Sequence, residues 1–137
     1  MRLITDDALA IATIMQEAES EPYEGKLAVA EVILRRTRRK YFSDGTVSGT
    51  VLAPIQFSGW NGKSTNRVRS VQIDMTDKIV LDCVRAWGEA QKGSNVSQGA
   101  LLYYNPGAVT TKPEWDAPGR STKVAEIGRH HFFVPLV

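Results

Sequence analysis

A chain of 137 residues has room for one domain with a true core, and its 42% hydrophobic and 23% charged residues suit a folded globular protein rather than a disordered one. A net charge of +2 is too small to argue for a nucleic-acid partner, and the single cysteine, Cys83, excludes an internal disulfide and a cysteine-rich zinc site. The opening MRLITDDALA lacks the apolar run and cleavage site of a signal peptide, and no segment reaches the roughly 18 apolar residues of a membrane helix. The expectation is a product made in the cytoplasm that anything acting elsewhere must have delivered for it.

Residues 5–19 predict a first helix, with Thr5 or Asp6 able to cap it and Asp6 and Asp7 suited to the positive end of its dipole. Ala8, Ile11, Ala12, Met15 and Ala18 recur at three- and four-residue steps as its apolar stripe. Pro22 biases Glu21 away from helical angles yet suits the first position of a new helix, so PYEGKLAVAEVILRRTRRK restarts as a second helix with Glu21 near its cap. Leu27, Ala30, Ile33, Leu34 and Thr37 supply its inner face. Glu17, Glu19, Glu21 and Glu24 therefore crowd the corner between the two helices.

Residues 41–73 read as irregular, with a turn at Asp44-Gly45 and short β-branched runs able to form one small hairpin or a few short strands. A third helix follows, capped by Thr76 or Asp74, buried through Ile79, Val80, Cys83, Val84, Trp87 and Ala90, and stopped near Gly93. Cys83 fits there as a small core residue. GALLYYNPGAV predicts a short strand ended by a turn at Asn105-Pro106, and a polar loop with Pro113 and Pro118 carries Trp115. The tail KVAEIGRHHFFVPLV predicts one more strand. No repeat or linker divides the chain, so 1–137 reads as one domain.

Glu17 is the residue with the clearest chemical promise. On the last turn of the first helix, packed by Met15, Ala18 and the second helix, its carboxyl loses solvent, and Glu19 and Glu21 add like charge. Both effects raise a carboxyl pKa, and a glutamate so tuned holds its proton near neutral pH and can give it to a leaving oxygen. The residues alone equally allow solvated charges at a helix end.

The run EAESEPYEGKLAVAEVILRR resembles the E-A-R-G-E-P-Y-x-G-Q-x-A-V-A-x-V-I-L-N-R block of SleB-type cell wall hydrolases, the spore cortex-lytic enzymes and their phage relatives. Glu17, Ala18, Glu21, Pro22, Tyr23, Gly25, Ala28, Val29, Ala30, Val32, Ile33, Leu34 and Arg36 occupy matching places. PIQFSGWN is similar to the family's P-x-Q-F-S-W, GALLYYNP to A-x-Y-Y-N-P, and IGRHHFF to I-G-x-H-x-F, in the family's order along nearly the whole chain. Departures are Glu19-Ser20 for Arg-Gly, Lys26 for Gln, and Leu34-Arg35-Arg36 for Leu-Asn-Arg. Of these, Glu19 alters the field around Glu17 and bears on the pH optimum.

The resemblance implies an α+β fold, a mostly helical domain of the lysozyme and lytic-transglycosylase kind with a small antiparallel sheet. It also implies cleavage of peptidoglycan glycan strands between N-acetylmuramic acid and N-acetylglucosamine. On that footing Glu17 protonates the glycosidic oxygen and then takes the proton of the muramic C6 hydroxyl as it attacks. A hydrolytic muramidase needs instead a second carboxylate about 5 to 9.5 Å away. Glu21, Glu24, Asp44 and Asp116 are the candidates.

A substrate groove is expected from the other blocks, since sugars stack on aromatic faces while amides and hydroxyls meet their polar groups. Gln56, Phe57, Ser58 and Trp60 form one wall, Tyr103, Tyr104 and Asn105 another, with Glu21 beside the acid and Trp115 at the lip. Each aromatic reads equally as core, and Ser58 and Asn105 equally as turn residues. His130 and His131 are adjacent on a strand and point to opposite faces, which argues against a shared metal ion, so no metal and no cofactor is expected.

RRTRRK, residues 35–40, complements the negative end of the second helix's dipole, with attraction to anionic wall polymer or outer-membrane lipid as its functional reading. The expected partner is peptidoglycan, without nucleic acid or stable membrane insertion, and the expected state is a monomer. A phage endolysin or virion-borne lysin fits the missing signal. A wall-binding module without catalysis is the alternative, and a basic nucleic-acid protein built around RRTRRK a weaker one.

Overall fold

The structure, a computed structural model, describes residues 5–53, 56, 57 and 74–136. Helix α1 (Asp6–Ala18) starts where the Thr5 hydroxyl accepts the Ala8 N–H at 3.2 Å, one of the two caps expected. Pro22, at φ −60°, then stands at the head of helix α2 (Tyr23–Arg39), its carbonyl taking the Gly25 and Lys26 N–H groups at 2.9 and 3.2 Å. Lys40 ends α2 in the left-handed conformation, its N–H closing on the Arg36 and Thr37 carbonyls.

From Gly25 to Ile33 every residue of α2 is buried, which makes α2 the axis of the fold. α1, the short helix α3 (Val47–Val51) and helix α4 (Lys78–Gln91) all pack on it. Ile14, Val29, Ile33, Val51, Phe57, Cys83 and Trp87 meet in the core so formed. The middle of α2 has no solvated face, so the buried charges of this helix, Lys26, Glu31 and Arg36, need partners inside the protein.

Two expectations are corrected among the helices. Residues 47–51, expected to be irregular or strand, form α3, because the Thr46 side chain caps it by accepting the Gly49 N–H at 2.9 Å. The buried Thr50 hydroxyl also bonds Thr37 at 2.7 Å and Ser43 at 2.6 Å, pinning that turn to α2. The cap of α4 is neither Thr76 nor Asp74 but Asp77, which accepts the Ile79 N–H at 2.7 Å. Asp74 instead folds its own turn, accepting the Thr76 N–H and hydroxyl at 2.8 and 2.7 Å. The buried stripe of α4 is Val80, Cys83, Ala86, Trp87 and Ala90, with Ile79 and Val84 half-buried.

Strands β1 (Leu102–Tyr104), β2 (Ser121–Ile127) and β3 (His130–Pro135) form an antiparallel sheet in the order β1-β3-β2. The tail expected as one strand is therefore two, turned at Gly128, whose φ of +57° suits a residue without a Cβ. Strand alternation sorts the aromatics. Tyr103 lies against Phe132 on the face that packs on Ala28 and Val32 of α2. Tyr104 lies against Phe133 and Trp115 on the other. The whole is the mostly helical domain with a small antiparallel sheet that the sequence predicts.

Candidate active site

Glu17 occupies the last turn of α1, at the corner where the chain turns through Pro22 into α2. Tyr103, projecting from β1 toward the helices, donates its hydroxyl to Glu17 Oε1 at 2.5 Å. Burial raises the Glu17 pKa above the usual carboxylate value, while the Tyr103 hydrogen bond and the nearby Arg36 charge pull against that rise. Burial and the Glu17 carboxylate together push the Tyr103 phenol well above its ordinary value, so it remains a neutral donor. Glu17 as a whole residue is nevertheless half-buried rather than sealed.

Arg36 is the third member of the site. It is almost fully buried, at 4% exposure, and is held by α2, a loop and a strand lead-in together. Its Nε donates to the Leu101 carbonyl at 2.7 Å and its Nη1 to Gln56 Oε1 at 3.3 Å, while its guanidinium lies 5.1 Å over the Phe57 ring. A buried cation with this many partners is fixed in place, which makes it a permanent positive charge beside Glu17.

Glu21 has a different task. Its carboxyl, 7% exposed as a residue, accepts the Arg129 N–H at 2.7 Å through Oε1, and the same atom stands 3.2 Å from His130 Nδ1. The His130 approach is off the N–H direction, so it is a contact of charge and dipole rather than an aligned hydrogen bond. Two glycines make room for this side chain. A Cβ at Gly25 would sit 3.0 Å from Glu21 Cβ, and one at Gly128 would sit 2.7 Å from Glu21 Oε1. Glu21 thus straps the helix corner to the β2–β3 turn, whose His130 ring packs 5.1 Å from Tyr103. The geometry of the acid's partner runs back through this strap.

The remaining expected site residues fall in several places. Gln56 is half-buried with its carbonyl turned to Arg36, and Phe57 is sealed in the core at 1% exposure, beneath that guanidinium. Ser58 and Trp60 lie outside the described residues. Tyr103 joins Glu17, but Tyr104 turns to the opposite face, where it bonds Asp116 and packs edge-on to Trp115 at 5.5 Å. Asn105 uses its side-chain oxygen to accept the Gly107 N–H at 2.9 Å, shaping the turn at Pro106.

None of the four candidate second carboxylates has its charge idle beside Glu17. Glu21 is engaged as above, and Asp116 with Tyr104. Asp44 is exposed and holds the Thr46 N–H at 2.9 Å, and Glu24 is exposed in the first turn of α2. Among the described residues no cluster of three metal-ligating side chains is formed.

Arg36 was not among the expected site residues. The signal for it was present, because positions 29, 32, 33 and 36 share one helical face and the first three are apolar. An arginine continuing a core stripe has to be paired inside, whereas its neighbours in RRTRRK are free to be surface. Glu31 carries the same signal, a lone carboxylate within AVAEVIL. Its Oε1 accepts Ser97 N and Oγ at 2.8 and 2.6 Å, and its Oε2 accepts Ser94 Oγ and Val96 N at 2.6 and 3.0 Å.

The chain is similar to known proteins along most of its length. A family described as cell wall hydrolase matches residues 20–133. A spore cortex-lytic enzyme of Oceanobacillus iheyensis is 33% identical over 127 residues, 93% of this chain and 41% of its own length. One of Bacillus subtilis is 29% identical over the same share of the chain and 37% of its own. The chain thus spans about two fifths of the length of these relatives. Among solved structures, the catalytic domain of the germination-specific lytic transglycosylase SleB from Bacillus anthracis superposes with a TM-score of 0.66 at 30% identity, covering 95% of both chains. The catalytic domain of the Bacillus cereus SleB protein gives 0.68 at 30% identity, covering 93% of this chain and 88% of that one. With a family model matched over 20–133 and solved SleB catalytic domains superposing over nearly its whole length, the chain belongs to the SleB-type cell wall hydrolase family.

Proposed function

We propose that this domain cleaves the glycan strand of peptidoglycan between N-acetylmuramic acid and N-acetylglucosamine as a lytic transglycosylase, with Glu17 as its only acid and base. The observation that carries the reading is the Glu17 carboxyl itself, raised in pKa by burial and oriented by Tyr103 at 2.5 Å, on a residue that is only half-buried. Glu17 gives its proton to the glycosidic oxygen, and the bond from that oxygen to the muramic C1 breaks as the sugar becomes oxocarbenium-like. The Glu17 carboxylate then takes the proton of the C6 hydroxyl, whose oxygen closes on C1. No water is consumed, and the carboxyl returns to its starting form.

During the charged interval Tyr103 and Arg36 both favour the carboxylate, so they lower the cost of giving the proton up. The engagement of Glu21, Asp44 and Asp116 elsewhere supports the one-acid route over a hydrolytic pair. Within this reading Gln56 and Tyr103 border the reacting sugar. Phe57 and Glu21 support that wall from beneath, while Tyr104 and Trp115, on the opposite face of the sheet, lie outside it.

Replacing Glu17 with Gln tests the assignment. The variant should sediment with purified sacculi as the parent does and lose at least about 10³-fold in clearing rate. Equal clearing by both proteins would end it, and no clearing by the parent would favour a binding module. Mass spectrometry of the soluble fragments should find muramic ends lighter by one water than reducing ends. Delivery as a phage endolysin or virion lysin goes with the resemblance to the family's phage members. Co-expression with a pore-forming partner, with lysis only when both are made, tests that part.

A further inference from the structure

Consecutive arginines of α2 serve different surfaces, because successive helical residues point about 100° apart. Arg36 enters the acid's corner, while Arg35, Arg38 and Arg39 face a cavity of about 360 Å³ between the outer side of α2 and the connection from α4 to β1. Ser94 and Asn95 close its far wall. The residues around it carry one carboxylate, Glu31, against three guanidiniums, a net of two positive charges. The Glu31 carboxylate is already saturated by the Ser94, Val96 and Ser97 donors. Arg35 is anchored on Ala100 O at 2.6 Å, Asn95 Oδ1 at 3.1 Å and Ser97 Oγ at 3.2 Å.

Arg38 and Arg39 are exposed, and among the described residues neither pairs with a carboxylate. Complementing the helix dipole accounts for cations at the end of α2, but not for their convergence on a concave, hydroxyl- and amide-lined space. A planar carboxylate is satisfied by a single bidentate arginine. A wall carrying several forks suits a tetrahedral anion that offers more oxygens.

We propose that this cavity binds the phosphate group of an anionic wall polymer, as an anchor for the enzyme separate from the site at Glu17. The proposal rests on the wall being the place of action, as argued above. The anchor leaves bond cleavage itself untouched and lengthens the time the domain stays on the polymer.

The test uses the double variant R38Q/R39Q, which alters only exposed side chains, beside K78Q/K112Q, which removes the same charge elsewhere. Sacculi that retain phosphodiester polymer are compared with the same sacculi stripped of it by acid. The parent and K78Q/K112Q should be retained about tenfold better on the phosphate-bearing sacculi, and R38Q/R39Q should lose that preference. Clearing of stripped sacculi should be the same for all three. Inorganic phosphate should shift amide resonances of residues 35–39 and 93–99 in the parent and not in R38Q/R39Q. Equal losses in both variants, equal binding to both kinds of sacculi, or a phosphate titration that leaves those resonances still would each overturn the proposal. If the parent fails to clear stripped sacculi, the function assigned to Glu17 fails instead, and the phosphate titration still decides the cavity.

Discussion

The Tyr103 hydroxyl meets Glu17 Oε1 at 2.5 Å across 86 residues of sequence, joining the first helix to the first strand at a carboxyl whose pKa burial raises. The bond favours the ionised carboxylate, so it opposes the rise in pKa that burial imposes.

Replacing Tyr103 with Phe removes that opposition and should raise the Glu17 pKa further. In the proposed mechanism the acid form is the one that cleaves, so activity should fall as pH rises through the Glu17 value, and in the variant this fall should move to higher pH. Its maximum rate should drop about 10- to 100-fold, because the carboxylate loses a donor. Stability follows the same proton. A carboxyl whose folded pKa lies above its unfolded one contributes stability in full below the unfolded value, and loses it as pH rises through the folded value. Thermal unfolding of the parent should therefore weaken across that window relative to Glu17→Gln, which has no such proton. A pH–rate profile unmoved by Tyr103→Phe would contradict the account.

Glu31→Gln should destabilise the domain by about 2–4 kcal/mol in urea unfolding, with the slope unchanged. The carboxylate accepts four hydrogen bonds from the chain between Ser94 and Ser97, and an amide in its place turns a donor toward two of those donors. A loss below about 0.5 kcal/mol would show that the 94–97 connection is held by other means.

Gly128→Ala should cost about 1–3 kcal/mol, since it adds a Cβ 2.7 Å from Glu21 Oε1 at a backbone angle of +57°. Activity should fall more than stability does at a temperature where the variant is fully folded, because Glu21 and His130 set the ring of Tyr103. Clearing rate against melting temperature, for this variant and for Gly119→Ala as a control with open space around it, separates the two effects.

These cases also show where the sequence was transparent. The helices α1, α2 and α4 are legible because their apolar steps and the Pro22 boundary are local signals. The corner with Glu17 follows from them. The hairpin at Gly128 reads as one strand in the sequence because HHFFVP continues the β pattern of KVAEI, and a single glycine with Arg129 is a weak turn signal until Glu21 is known to sit against it. α3 was missed because its stability comes from the Thr46, Ser43, Thr50 and Thr37 hydroxyls, a network that crosses between elements. The two tyrosines of LYYN could be placed on opposite faces by alternation, but only the fold says which one looks at the acid.

Cys83 should be inert to thiol reagents in the native protein at pH 8. It is fully buried, and burial pushes its thiol up to about 12. Labelling should proceed only through unfolding, so its rate in mild urea should track the global transition. Rapid labelling in buffer would reveal opening of α4 away from α2.

The order β1-β3-β2 places β3, the latest of the three in chain order, between the other two, and among the described residues β1 pairs only with β3. The strand that carries Tyr103 therefore has a single neighbour to hold it. A change that loosens β3 would for that reason withdraw Tyr103 from Glu17 without touching either residue.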